Sequence, residues 1–235
     1  MSKENYTHIS IVLDRSGSMS SIANQVTEGY KEFIETQKNV EGEATLTLAR
    51  FDNEYEIIHD MVDIKTVSSD LRLQPRGWTA LLDAMGQTME RVRTQINDLS
   101  EENKPSKCIF VFITDGEENT SSQYTRERVF QMIEDLRSDT NINWDVIFMG
   151  ANQDAIAVGG NLGVRAAASL TYDANTTIGT RNAFSSLTKG MTSYRTSNAA
   201  YSFSDEDREI QKIKTDDSEK TKNPRTYMPS GDLHI

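Results

Sequence analysis

The chain predicts an α/β domain: a doubly wound, mainly parallel sheet with one antiparallel edge strand and helices on both faces, a three-layer sandwich. Three observations predict it. Short apolar runs such as Ile9-Ser10-Ile11-Val12-Leu13 and Ile109-Phe110-Val111-Phe112-Ile113 are strand-length and apolar on successive residues, as strands buried on both faces are. Stretches with apolar residues at helical spacing alternate with them, the pattern of a parallel sheet covered by crossover helices. Two of the buried runs end in aspartate, at Asp14 and Asp115. Ligand sites in such sheets lie beyond the carboxyl ends of the strands, where the connections reverse direction. If the two strands are neighbours there, their carboxylates converge.

Taken in order, residues 8–14 form the first buried strand. Residues 21–37 carry Ile22, Val26, Tyr30, Phe33 and Ile34 at helical spacing. A strand over 44–51 is followed by Asp52-Asn53, which tolerate positive φ and so turn the chain. That makes 54–59 the antiparallel edge strand. Residues 79–98 read as a helix with Leu82, Met85, Met89, Val92 and Ile96 on one face. A polar loop over 101–105 leads into a strand over 107–113. Thr125 N-caps a helix through Arg137, with Val129, Met132, Ile133 and Leu136 inward. Residues 144–149 form another buried strand, 153–159 a short helix, 166–171 a weak strand and 176–196 a longer helix. Ser204 N-caps a short helix, but from there to Ile235 large apolar residues are few. The expectation is a domain over 1–203 and a charged, flexible tail over 204–235.

The 235 residues carry a net charge of −11, with an isoelectric point near 4.8. That balance disfavours binding nucleic acid through its phosphates, which needs clustered Lys and Arg, and equally disfavours an anionic membrane surface. It suits a cytosolic protein kept soluble by charge, a divalent cation or a basic protein surface. Cys108 is the single cysteine, which rules out an intrachain disulfide or a thiolate zinc site. It opens an apolar strand and reads as a small core residue. The first eight residues lack the apolar stretch of an export signal, and no apolar run has the length of a membrane span. The expected location is cytoplasmic.

Asp14-Arg15-Ser16-Gly17-Ser18 carries the chemistry. A strand that stops at an aspartate delivers a carboxylate to the rim of the sheet, and serines at the next two alternate positions can turn their hydroxyls to the same point. Such hard oxygen donors suit Mg²⁺, Mn²⁺ or Ca²⁺ rather than a thiol- or imidazole-seeking metal. A plain alternative stands beside this reading: Ser and Asp also cap helices, and one is due near Ser21. Thr79 likewise reads either as part of a site or as a cap for the helix it opens.

These residues resemble the von Willebrand factor type A (vWA) domain and its metal-ion-dependent adhesion site. That family has Asp-x-Ser-x-Ser after the first strand, a threonine in the loop before a later helix and an aspartate ending the fourth strand. The resemblance covers about residues 5–200 and implies a Rossmann-like fold with Asp14, Ser16, Ser18, Thr79 and Asp115 as metal ligands, some acting through water. Asn119, after Thr114-Asp115-Gly116, also fits it. It further implies Mg²⁺ as the ion, with Mn²⁺ or Ca²⁺ as alternatives, and a partner protein whose carboxylate completes the coordination. Gly17 and Met19 make the motif resemble the intracellular prokaryotic branch. One departure is Trp78, which stands where the family often has a second glycine.

Around these residues, Trp78 and Glu117 are candidate partner contacts, since an aromatic at the centre of an interface often supplies much of its energy. Trp78 reads equally well as a loop residue tucked onto the domain. Glu117 and Glu118 also read as solvated acids, Asp83 as a group behind the ligands or a first-turn acid, and Asn152 and Asp154 as a turn and a helix cap. Two rival functions remain. One is a structural or assembly subunit with the ion as permanent glue, which would keep its partner in chelator. The other is a hydrolase, which needs a base for its nucleophile. His8 starts the first strand, at the far end from Asp14; His59 is on the edge strand and His234 in the tail. Ser16 lacks the Gly-x-Ser-x-Gly elbow. Gly159-Gly160-Asn161-Leu162-Gly163 does not match a phosphate loop, and hydrolysis assisted by a single ion is the form left open. The reading taken is a non-enzymatic binding module.

Overall fold

The structure, a computed structural model, describes residues 3–212. Six strands, β1 (Lys3–Asp14), β2 (Glu43–Phe51), β3 (Tyr55–Asp63), β4 (Pro105–Thr114), β5 (Asn143–Ala151) and β6 (Ser169–Tyr172), form one sheet. Its order is β3-β2-β1-β4-β5-β6. Every pairing is parallel except β2 with β3, the antiparallel edge expected from a turn at Asp52-Asn53, although neither residue takes the positive φ that the sequence reading invoked for it. The chain runs outward from β1 through β2 to β3, then returns to the other side of β1 for β4 to β6. The connections therefore reverse between β1 and β4, which is the switch point of the sheet.

Among the described residues six α-helices accompany the sheet: α1 (Ala23–Lys38), α2 (Leu81–Asn97), α3 (Arg126–Arg137), α4 (Ala155–Asn161), α5 (Thr177–Thr196) and α6 (Asp205–Ile210). α1 packs against α5, and α2 against α3, giving the sandwich its two helical layers. The stripes that predicted α1 and α2 are the faces they bury: Val26, Tyr30, Phe33 and Ile34 on one, Met85, Met89, Val92 and Ile96 on the other. β1 and β4 are covered on both faces, so their residues from Ile9 to Leu13 and from Cys108 to Ile113 are inaccessible to solvent. Cys108 is one of these core residues.

Several boundaries differ from the sequence reading: β1 and β4 begin earlier, at Lys3 and Pro105, the first part of the strand expected over 166–171 is a 3₁₀ turn at Ala166–Ala168, and three others differ for a local reason. The helix expected from 21 begins at Ala23, because Gly17–Ser21 forms a turn of 3₁₀ helix first. The edge strand runs on to Asp63 through register shifts opposite Leu46–Ala49, with Met61 at φ 50°; these break the alternation that marks a strand. The helix expected from 79 begins at Leu81: Ala80 lies outside the helical region at φ −94°, ψ 61°, and the Thr79 N–H donates to Asn119 instead of opening the helix. Thr125 caps α3 as expected, accepting from the Arg128 N–H.

The part of the expected tail that lies within the described residues is α6 and its flanks. Ser204 and Asp207 form a reciprocal capping box. Arg208 donates to the carbonyls of Ser169 and Ala166 at 2.8 Å, fastening α6 beside the outer strand β6. Residues 213–235 of the expected tail, His234 among them, lie outside the described residues.

Candidate metal centre

Because β1 and β4 are in register, with Leu13 opposite Ile113, their carboxyl ends finish side by side. Asp14 is fully buried at the end of β1. Its Oδ1 accepts the Ser16 N–H at 2.6 Å and its Oδ2 accepts the Thr114 hydroxyl at 2.6 Å. The Ser16 and Ser18 hydroxyls are 3.0 Å apart, and the Ser18 hydroxyl donates to Asp115 Oδ1 at 2.7 Å. Thr79 joins from the loop before α2. A Cβ built on Gly116 would lie 3.0 Å from Thr79 Oγ1 and 3.5 Å from Ser18 Oγ, so the two hydroxyls border one space beside Gly116 that a side chain there would crowd. The five residues singled out from the sequence are thus brought to one point at the rim of the sheet.

The helix-capping alternatives do not hold. Ser16 precedes the 3₁₀ turn in extended conformation, but its side chain makes no capping bond, and α1 begins after Ile22 with no side-chain cap. The residue preceding α2 is Ala80, again without a side-chain cap, so the Thr79 hydroxyl is not engaged in that role. The Ser16 and Ser18 hydroxyls are left linked to Asp115, with Thr79 Oγ1 across the space above Gly116 from Ser18.

Burial pushes the Asp14 carboxyl up to about 6, against the lowering effect of the Thr114 and Ser16 hydrogen bonds. Burial also raises Asp115, opposed by the Ser18 hydroxyl. Two carboxylates that are costly to ionise, ringed by three neutral oxygens, form a donor set that fits a hard divalent cation. Imidazole and thiolate donors are absent from it, and among the described residues no cluster of three or more His, Cys, Asp or Glu forms an alternative metal site.

The loops carrying these groups are tied down by residues the sequence reading missed or misassigned. Arg15, between the first two ligand positions, points the other way from Asp14 and is buried. It donates to Asp52 at 2.9 Å and to Glu56 at 2.6 Å. Asp52, with no solvent exposure, also accepts Arg76 Nε at 2.8 Å and the Glu54 N–H at 2.6 Å. Burial alone would raise the Asp52 carboxyl; these donors outweigh it and hold the group below the ordinary range. On the other side of the site, Asn119 and Thr79 exchange bonds, Thr79 N–H to Asn119 Oδ1 at 3.0 Å and Asn119 N–H to the Thr79 carbonyl at 3.1 Å.

Glu118 is not a solvated acid. Its carboxylate accepts the N–H groups of Leu82, Thr120 and Ser121 and the Ser121 hydroxyl, all between 2.6 and 2.9 Å. Asp83, in the first turn of α2, accepts three consecutive N–H groups from Ser122, Gln123 and Tyr124. It is a loop clamp, not a group turned on the ligands. Asp154 caps α4, as the plainer reading had it. Asn152 turns the chain at φ 52° and accepts the Ala174 N–H. Trp78 is 68 % exposed, the most open large apolar side chain among the described residues, so it is not tucked onto the domain. Glu117 is exposed beside Asp115. His8 is fully buried between Thr45 and Ser10, away from the rim.

No family model and no curated protein matches the sequence. Solved structures do match. Proximal thread matrix protein 1 of the mussel byssus, in a form with a zinc-occupied MIDAS motif, is 12 % identical at a TM-score of 0.56, over 81 % of this chain and 48 % of its own. A von Willebrand factor type A protein from Catenulispora acidiphila is 15 % identical at 0.57, over 81 % and 43 %. The pilus adhesin SpaC from Lactobacillus rhamnosus GG, in an open conformation, is 14 % identical at 0.60, over 83 % and 30 %. The chain spans less than half the length of each. The fold is that of a von Willebrand factor type A domain. Among the described residues no helix is long and apolar enough to cross a membrane.

Proposed function

We propose that this chain is a metal-dependent protein-binding module in which Asp14, Ser16, Ser18, Thr79 and Asp115 hold a divalent cation, Mg²⁺ first and Mn²⁺ or Ca²⁺ as alternatives. The observation that carries the reading is the gathering of two carboxylates and three uncapped hydroxyls at the switch point. Such a set holds Mg²⁺ without filling its six positions, and the bound ion supplies an exchangeable site for an acidic side chain of a partner. Trp78 beside Thr79 offers an exposed aromatic anchor on the same rim, and Glu117 a charge for a basic neighbour of that acid. The net charge of −11 repels a carboxylate at long range, so attraction comes from the ion at close quarters. A partner of this kind is held in Mg²⁺ and released by chelator.

The test is partner capture by wild type and by Thr79→Ala and Asp14→Ala, each with Mg²⁺ and with EDTA, eluates identified by mass spectrometry. The reading predicts proteins retained by the wild type in Mg²⁺ alone. Equal capture under every condition would place the partner surface elsewhere, and retention through EDTA by the wild type alone would favour permanent assembly.

A further inference from the structure

The three loops of the candidate site come from distant parts of the chain, yet two of them converge on one carboxylate that touches no ligand. Asp52 sits in the β2–β3 turn. Its side chain takes Arg15 from the Asp14–Ser18 loop at 2.9 Å and Arg76 from the Thr79 loop at 2.8 Å. Its carbonyl takes the Ala80 N–H at 2.9 Å. The two loops also bond directly, Arg76 N–H to the Arg15 carbonyl at 2.8 Å and Gly17 N–H to the Gly77 carbonyl at 3.3 Å. Gly77 holds φ +68°, and a Cβ there would lie 2.2 Å from Asn53 Oδ1, so the Thr79 loop is seated directly on the turn. Trp78 and Thr79 follow at once.

We infer that Asp52 is a positioning residue for the metal site: through Arg15 and Arg76 it sets Ser16 and Ser18 on one loop against Thr79 on the other. This rests on the proposed metal reading. The arrangement explains why an arginine stands between Asp14 and Ser16. Facing away from the ligands, Arg15 ties their loop to the same carboxylate that anchors Thr79. Glu56 gives a built-in contrast, because it pairs with Arg15 but not with Arg76, and reaches the segment before Thr79 only indirectly, through Arg50 and the Arg72 carbonyl. Groups that orient metal ligands from behind typically govern affinity by about 10–100-fold when removed.

The experiment uses the full chain labelled with 5-fluorotryptophan, with Mn²⁺ as probe. Its two tryptophans, Trp78 and Trp144, give two ¹⁹F signals. Trp144 is buried and stacked on Phe110, and serves as an internal control. Asp52→Asn is expected to weaken Mn²⁺ binding, read by electron paramagnetic resonance of the free ion, by about 10–100-fold. It should also sharpen and shift the Trp78 signal while leaving Trp144 unchanged. Glu56→Gln is expected to do less on both counts. If Asp52→Asn fails to fold, Arg76→Met removes the exposed tether alone and should move both readouts in the same direction. Wild-type Mn²⁺ affinity and an unchanged Trp78 signal in a folded Asp52→Asn protein would overturn the inference. A wild type that binds no Mn²⁺ would instead overturn the metal reading, and the Trp78 signal would still report whether Asp52 sets the loop.

Discussion

Asp83→Asn tests how the loop after β4 is held. Asp83 is 7 % exposed, and its two oxygens accept the N–H groups of Ser122, Gln123 and Tyr124 at 2.8–2.9 Å. Asparagine keeps one acceptor oxygen and, whichever way it turns, sets an NH₂ group against at least one of those donors. A hydrogen bond to a charged group contributes about 1.5–3 kcal/mol, and a buried donor left bare costs about 1–3 kcal/mol. Opening of the 116–124 segment should therefore become easier by about 3 kcal/mol, which is roughly a hundredfold in amide exchange when opening is at equilibrium. Hydrogen exchange read residue by residue should show Ser122, Gln123 and Tyr124 accelerating, with Phe110–Phe112 in β4 reporting any global change. Because Asn119 of the same segment pins Thr79, Mg²⁺ affinity should fall too. Unchanged protection at 122–124 in the variant would refute the clamp.

Three further outcomes follow. His8 is fully buried, and burial lowers it from 6.5 to about 4, so the unfolded chain takes up the proton first. Its contribution to stability is whole above pH 6.5 and is lost as pH falls toward 4, by about 3 kcal/mol; His8→Asn should flatten that part of a denaturant-midpoint profile, and a parallel profile would count against it. Glu118→Ala should destabilise by more than about 2 kcal/mol, whereas Glu117→Ala, on the exposed side of the same loop, should stay within about 0.5 kcal/mol; thermal melts showing equal effects would contradict the assignment. Gly77→Ala should cost more than about 1 kcal/mol from its positive φ alone, and Asn53→Gly should recover the steric part by removing the oxygen 2.2 Å from the new Cβ. Additive losses in the melts of the pair would argue against that contact.

What could be read from the sequence was whatever the chain encodes locally. β1 and β4 declared themselves because burial on both faces leaves continuous apolar runs, and α1 and α2 because one face of each is a stripe. Asp14 and Asp115 could be set at strand ends, and the order of elements put those ends together. The clamps could not be seen this way. Glu118 and Asp83 satisfy backbone N–H groups, and a backbone donor leaves no mark in a sequence. Their companions on α2 and the following loop lie up to 41 positions away. Arg15 and Asp52 pair across 37 positions; alone, Arg15 is a filler between ligand positions and Asp52 reads only as a turn residue. The bulged end of β3 was lost for the opposite reason: its irregular register erases the alternation a strand would show.

The central claim is that the five gathered oxygen donors hold a divalent cation. Titration calorimetry of chelator-treated protein with Mg²⁺ tests it most directly, alongside an Asp14→Ala, Asp115→Ala double variant whose fold is checked by circular dichroism. The account predicts one site per chain in the wild type and none in the folded variant. A folded variant that binds Mg²⁺ as the wild type does, or a wild type that binds no divalent cation at all, would contradict it.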